Sequence, residues 1–220
     1  MARHGESKHF KRSVVTRALV IPRKKYKYYI RPLPGKHKNS EGIALLGAIR
    51  DVMKVANNAK EASYLISNGQ VMVDGKIVRE DKYNVGFGDL IDIGGEKFKV
   101  DINDKGKFVV ANDDSDHKLK RLKIMSQGKF KGGKRVLRLN DGRNIISDRN
   151  DIQIGDTVAL NLKDNTIDKI IPFEQGGQAI VFRGKNAGRA GKIIKIDGDS
   201  VELEKEGNSF IVSAKSCFVL

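Results

Sequence analysis

The stretch KVANNAKEASYLISNGQVMVDGKIV, residues 54–78, decides the fold. Upstream of it Leu45, Ile49, Val52 and Ala56 recur at helical spacing and predict a first helix. Asn58 reads as an N-cap, with Glu61 three residues on as its capping-box partner. Ala59, Ala62, Leu65 and Ile66 give a second, shorter helix one apolar face, and Asn68-Gly69 stops it. Val71-Met72-Val73, Asp74-Gly75 and Lys76-Ile77-Val78 read as strand, type I′ turn and strand. Gly88-Asp89 then turns the chain into a strand from Leu90 to Ile93, and Phe98, Val100 and Ile102 alternate as in a half-buried strand. Two helices and a hairpin thus form a compact unit over Ile43–Ile93.

The chain around this unit has 220 residues and a net charge of +15, with 23 Gly and no Trp. Short apolar runs and frequent glycines favour small modules with tight turns over one large aromatic-rich core. The charge predicts a polyanionic partner, with nucleic acid ahead of an anionic membrane surface. No apolar run approaches the ~20 residues that span a bilayer, and Met1 to Glu6 leads into no signal-type apolar core. A cytosolic protein is expected. Cys217 is the single cysteine, which excludes an intrachain disulfide and a Cys-rich zinc site.

The excess charge is uneven. Residues 1–42 carry 12 Lys/Arg against 2 Asp/Glu, whereas residues 43–105 carry 9 against 10. The first segment therefore reads as a basic extension rather than a folded domain. In it Lys8, Lys11, Arg12, Arg17, Arg23, Lys24, Lys25, Lys27 and Arg31 are interleaved with Phe10, Tyr26, Tyr28 and Tyr29, and Pro22, Pro32 and Pro34 oppose a long helix. Such a segment could fold on a polyanion, with cations on phosphates and tyrosines on bases.

Residues 106–172 read as a small antiparallel β domain. They begin with Phe108-Val109-Val110 and hold a basic stretch, including Arg121, Lys123, Lys129 and Lys131, with no acid from 117 to 140. Asp141-Gly142 is a hairpin signal, and Ile154-Gly155-Asp156 repeats the punctuation of Phe87-Gly88-Asp89. Residues 173–220 read as another small β module. Its Gly- and cation-rich loop runs from Arg183 to Lys192, with Gly184, Gly188 and Gly191 supplying positive φ and close backbone approach.

Catalytic readings fail on spacing. The loop from Gly184 has Asn186 and Ile193 where a phosphate-binding loop needs other residues. Arg138-Leu139-Asn140 resembles the core of pseudouridine synthases but has Asn in place of the catalytic Asp. Lys123 to Gln127 resembles a signature loop of class I tRNA synthetases, yet its companion His-Ile-Gly-His is missing. His4, His9, His37 and His117 lack metal-ligand spacing, and Asn112 to Asp116 lacks the EF-hand Gly and Glu. No catalytic residue, metal site, cofactor or small-molecule substrate is expected.

Two motifs carry a resemblance. Lys54–Val78, with Asn57 to Ala62, Asn68 to Val71 and Val73 to Lys76, resembles the S-four RNA-binding domain. Residues 178–195, with Gly184 to Gly191, resemble a KOW motif. The order of basic arm, S-four domain, central β region and KOW module resembles the small-subunit ribosomal protein S-four-e family of archaea and eukaryotes. So do Ser7 to Arg12, Ile21 to Lys24, Arg31 to His37 and the run from Leu45 through Arg50-Asp51-Val52. The resemblance implies a non-enzymatic component of the small ribosomal subunit in the cytoplasm. Its partners would be ribosomal RNA and neighbouring ribosomal proteins, with no membrane and no homo-oligomer. A free RNA-binding factor in RNA modification or in translation or transcription control is the alternative built from the same modules.

The expected fold is therefore multi-module α+β. A basic N-terminal extension (1–42) precedes a small α+β S-four-type domain (43–105). A central antiparallel β domain (106–172) and a small β-barrel-like KOW domain (173–220) follow. Arg50 and Lys54, projecting from the first helix, should form one RNA-facing surface with Asn58, Lys60 and Lys76. Lys8, Lys11, Arg12, Arg23, Lys24 and Lys25 in the arm are expected to add phosphate contacts. Arg121, Lys123, Lys129 and Lys131 would do so from the centre, and Arg183, Lys185, Arg189 and Lys192 from the C-terminal loop.

Overall fold

The computed structural model describes residues 10–24, 26–113, 118–130, 134–149 and 151–220; Lys8, Lys25 and Lys131 lie outside them. The architecture is multi-module α+β, dominated by antiparallel sheets. In the first module β1 (Gly42–Ala44) pairs with β4 (Asn84–Gly86). A five-stranded sheet beside this pair runs β2 (Val71–Val73), β3 (Lys76–Ile77), β5 (Leu90–Ile93), β6 (Glu96–Ile102) and β7 (Phe108–Asn112), in the order β3-β2-β5-β6-β7. Helix α1 (Leu45–Gly47) and helix α2 (Ala59–Ser67) cover it, burying Leu45, Ile49, Ala62 and Ile66 against Val71, Val73, Ile91 and Val100.

Local chemistry sets the bounds of α2. Asn58 Oδ1 accepts from Glu61 N at 2.9 Å, and Glu61 Oε2 accepts from Asn57 N at 2.9 Å. The box closes one residue further back than the expected Asn58 N–H, and it satisfies two otherwise orphaned donors. Gly69, at φ 72°, ends the helix. Asn58→Ala is expected to lower the unfolding free energy by about 1 kcal/mol in urea titration. The hairpin turn also forms as read, with Asp74 and Gly75 both at positive φ, 50° and 74°.

Three features depart from the reading. The first helix does not continue to Ala56. After α1 the chain widens into a π-type turn over Ala48–Val52 and stops at Lys54, whose φ is 59°. The wide turn keeps Ile49 buried while Arg50 and Asp51 reach the surface region. Lys54 therefore leaves from a left-handed corner, not from a helix face. Second, Phe108–Asn112 is not part of the central domain. It pairs with β6, from Ile102↔Phe108 to Phe98↔Asn112, and forms the edge of the first sheet.

Third, the described part of the basic arm is folded. Val15, Leu19, Ile21 and Tyr29 are buried in the first module's core, and Phe10 packs against it. The arm's high charge concealed this apolar set. These residues have no 2.0 or 3.6 periodicity, because the arm follows the surface of the module as a short 3₁₀ turn (Arg12–Val14) and loops.

The central sheet contains β8 (Leu119–Lys129), β9 (Arg135–Leu139), β10 (Asn144–Ser147), β11 (Thr157–Asn161) and β12 (Ile167–Ile171), in the order β10-β9-β8-β11-β12. Strand β8 pairs with β11 through its first half and with β9 through its second, with an irregularity between Ile124 and Ser126. That break lets one long strand curve around the core of Leu122, Ile124, Leu137, Leu139, Ile152, Val158 and Leu160. The last sheet holds β13 (Gln178–Val181), β14 (Ala190–Asp197), β15 (Ser200–Lys205), β16 (Asn208–Ser213) and β17 (Cys217–Val219), in the order β16-β15-β14-β13-β17. The repeated Gly-Asp punctuation has one physical basis. Asp89 and Asp156 each accept a hydrogen bond from the backbone N–H three residues earlier, Gly86 at 3.0 Å and Gln153 at 2.7 Å.

Side chains from all three modules interlock. Phe87 of the first module stacks on Phe182 at 5.7 Å and meets Phe218 edge-on at 5.5 Å. The loop before β14 lies on the β6–β7 turn, where Gly188 leaves no room for a side chain beside the Asn103 carbonyl.

Candidate RNA-binding surface

Among the described residues the cations divide into those consumed inside the protein and those left on its surface. The largest internal set joins the first and central modules. Lys120 is buried at 2% exposure, with Nζ 2.8 Å from Asp74 Oδ2 and 2.5 Å from Asp89 Oδ1. Lys36 from the arm reaches the same two carboxylates at 2.5 and 3.2 Å. His37 Nε2 lies 2.9 Å from Asp89 Oδ2, and Arg143 bridges Asp74 and Asp141 at 2.8 and 3.0 Å. The hairpin turn and the Gly-Asp turn of the first module thus insert their carboxylates against the buried end of β8.

Three carboxylates face Lys36, Lys120 and Arg143, so the cluster is balanced in formal charge. Burial alone would push Asp89 and Asp74 up. Lys120 and then Lys36 overcome it, holding Asp89 well below the usual carboxylate range and Asp74 below it too. Burial would lower Lys36, but Asp89 and Asp74 raise it instead.

Several of the residues expected to contact RNA already have partners inside the protein. Arg12 is 4% exposed, and its guanidinium donates to the carbonyls of Tyr28 at 3.2 Å and Pro22 at 2.9 Å. Arg23 donates to the carbonyls of Arg12, Val15 and Thr16, tying the 3₁₀ turn to the following loop. Lys123, 2% exposed, donates to Ala214 O at 2.7 Å and Cys217 O at 2.6 Å, with its ammonium 4.6 Å from the Phe173 ring centre. Their free hydrogen-bonding capacity goes to backbone carbonyls, which a sequence pattern of Lys and Arg does not distinguish from phosphates. Asn58 spends its side-chain oxygen on the α2 cap. Arg50 makes a two-point pair with Asp51, at 3.0 and 2.6 Å.

Lys123 has a measurable signature. Burial lowers it to about 8, helped by Arg183 and opposed by Cys217 and Asp156. The folded protein then binds this proton less tightly than the unfolded chain, so the contribution is present above the ordinary lysine value and lost as pH falls through about 8. Burial raises the Cys217 thiol to about 11, and that group acts in the opposite direction above pH 9. The comparison with Lys123→Met isolates the lysine. The stability difference in favour of wild type is expected to grow between pH 7.5 and pH 10 in paired urea titrations.

Lys11, Lys24, Lys54, Lys60, Lys76, Arg121, Lys129, Lys185, Arg189 and Lys192 remain exposed, with Arg183 half-buried. They fall into separate groups. Lys11 and Lys60 belong with the arm and the start of α2, Arg121 and Lys129 with β8, and Lys185 to Lys192 with the loop before β14. That loop does not stand free: Gly188 sits on the first module, and Arg183 lies 4.0 Å from Glu41.

The arm and the start of α2 enclose a groove of about 490 Å³, lined by Arg12, Tyr26, Tyr28, Tyr29, Arg50 and Asp51 with Asn57 and Asn58. Tyr26 and Tyr28 are 59% and 45% exposed. The Arg12 guanidinium lies against two rings, 5.2 Å from the centre of Tyr26 and 5.3 Å from that of Tyr29. Lys27, one of the arm cations interleaved with tyrosines, lies 5.4 Å from the Tyr28 ring centre.

A helix pair with a hairpin, a curved central sheet and a basic, tyrosine-lined arm define a modular chain of the S4-domain class; the S4 domain matches residues 52–91. The model described as ribosomal family S4e matches residues 94–167. The Small ribosomal subunit protein eS4 of Methanocaldococcus jannaschii is 34% identical, over 100% of this chain and 96% of its own. That of Thermoplasma volcanium is 37% identical, over 85% of this chain and 80% of its own. The crystal structure of the 30S ribosomal protein S4e from Thermoplasma acidophilum superposes with a TM-score of 0.72 at 33% identity, covering 82% of this chain and 95% of that one. The chain belongs to ribosomal family S4e.

Proposed function

We propose that this chain is a structural component of the small ribosomal subunit that binds ribosomal RNA. The observation that carries the reading is the likeness, over its whole length, to a protein named Small ribosomal subunit protein eS4. The partners are the small subunit's ribosomal RNA and the ribosomal proteins beside it, and the place of action is the cytoplasmic ribosome. The role is one of binding and scaffolding rather than catalysis.

The physical division of the cations supports this reading. Buried cations fix the modules to one another, and exposed cations on the arm, on β8 and on the C-terminal loop supply phosphate contacts. The arm–α2 groove, with Lys11 and Lys60 beside it, is the shaped part of the surface, and Lys54 stands at the left-handed corner before α2. Lys76, Arg121, Lys129, Lys185, Arg189 and Lys192 extend it electrostatically.

Sedimentation of a cell extract through a high-salt sucrose cushion tests the reading. The protein should remain with the small subunit at about one copy per particle. Recovery in the free fraction, or at well below one copy, would identify a free factor and contradict the proposal.

A further inference from the structure

We propose that the groove between the arm and the start of α2 holds one unpaired, unstacked RNA nucleotide, with its base on the Tyr26 ring and its phosphate on the lysine rim. The inference rests on the RNA-binding reading above and adds the structural class of RNA that this surface selects.

The groove is built to keep its aromatic platform still. Tyr29 is buried at 8% exposure, and the Arg12 guanidinium lies over it. Hydrogen bonds to the Tyr28 and Pro22 carbonyls fix that guanidinium. The Tyr26 ring centre lies 5.2 Å from the same guanidinium, and Tyr26 remains 59% exposed. The two rings are therefore gathered around one fixed guanidinium, and a base adding to Tyr26 joins groups whose ordering entropy has already been lost in folding. Bases extruded from RNA are commonly received on aromatic rings and guanidinium planes. A volume of about 490 Å³ is within the range of small-ligand sites.

Charge sets the orientation of the nucleotide. Asp51 lines the groove, and the Glu61 carboxylate occupies the start of α2 through its bond to Asn57 N. The two guanidiniums on the same lining are already engaged, Arg50 with Asp51 and Arg12 with two backbone carbonyls, so the floor receives the neutral base and the phosphate goes to the rim. The lysines stand at the margin. Lys27 lies over the Tyr28 ring, the backbone of Lys11 pairs with that of Tyr28, and Lys60 follows the lining residue Ala59. A continuous A-form duplex offers its phosphates but keeps its bases stacked, so it can use the rim and not the groove. A bulged nucleotide is already partly unstacked and satisfies both.

The test uses the full chain and two RNA duplexes of equal length, one fully paired and one with a single bulged 2-aminopurine. The bulged RNA should bind about tenfold tighter or more, the size expected of one stacked base, and its fluorescence should be quenched. Tyr26→Ala should abolish both the preference and the quenching. Tyr26→Phe and the exposed control Tyr64→Ala should retain both. Equal affinity for the two RNAs, with binding still steeply salt-dependent, overturns the nucleotide inference and leaves the RNA-binding reading in place. Failure to bind either RNA at moderate salt overturns that reading and the inference with it.

Discussion

Replacing Lys120 with methionine is expected to lower the unfolding free energy by about 3–5 kcal/mol. The side chain is nearly the same length, so the change removes charge rather than volume. Asp74 and Asp89 would keep Lys36, but each would lose a buried ammonium at 2.8 or 2.5 Å. Burial, which tends to push both carboxyls up, would then be less fully opposed. Two readouts follow. The urea midpoint falls, and acid unfolding begins at a higher pH than in wild type. The sign follows from linkage, because depressed carboxylates stabilise above their unfolded pKa and lose that contribution as pH falls through the folded value. A loss below about 1 kcal/mol would class the cluster with surface pairs and remove its role in joining the modules.

Gly188→Ala is the second large effect, with a loss of about 2–4 kcal/mol from strain and overpacking together. Gly188 has a φ of 89°, which disfavours any L side chain, and a Cβ there would overlap the Asn103 carbonyl oxygen. The neighbouring backbone is equally tight, since a Cβ at Gly106 would lie 3.1 Å from Ala187 O. The loop before β14 must therefore lift from the β6–β7 turn. Gly184 makes the internal comparison. It too has positive φ, 92°, but nothing stands within 4 Å of its Cβ direction. Gly184→Ala should show the backbone strain alone and cost less. Equal losses at the two sites would show that close approach to Asn103 contributes nothing.

The parts of this fold that the sequence made legible are those whose causes are local. Asn58 with Glu61, Gly69, and the Asp74-Gly75 turn each depend on residues within four positions, and each formed. The first helix was misread because its stop signal, Lys54 at φ 59°, is not a glycine. The arm was misread because Val15, Leu19, Ile21 and Tyr29 bury themselves against residues far along the chain, without a period of their own.

The same distinction applies to the candidate surface. Lys and Arg runs gave the correct impression of a basic chain but not the fate of each cation. Lys120 and Lys123 lie within one basic stretch, yet one meets Asp74 and Asp89 and the other meets the carbonyls of Ala214 and Cys217. Those partners are 31 to 94 residues away in sequence. Along β8 Arg121 turns outward and Leu122 inward, but the covering of Lys123 by the C-terminal module has no local signal.

The central claim is that RNA affinity comes from the exposed cations while the buried ones hold the modules together. Its most direct test is the salt dependence of affinity for small-subunit ribosomal RNA, measured on wild type, Lys123→Met and a triple Lys11→Ala/Lys27→Ala/Lys60→Ala variant. The log–log slope should be steep for wild type and unchanged in folded Lys123→Met. It should fall in the triple variant by about 0.7–0.9 for each phosphate that is no longer neutralised. A nearly salt-independent affinity, or a triple variant with the wild-type slope, would contradict the account.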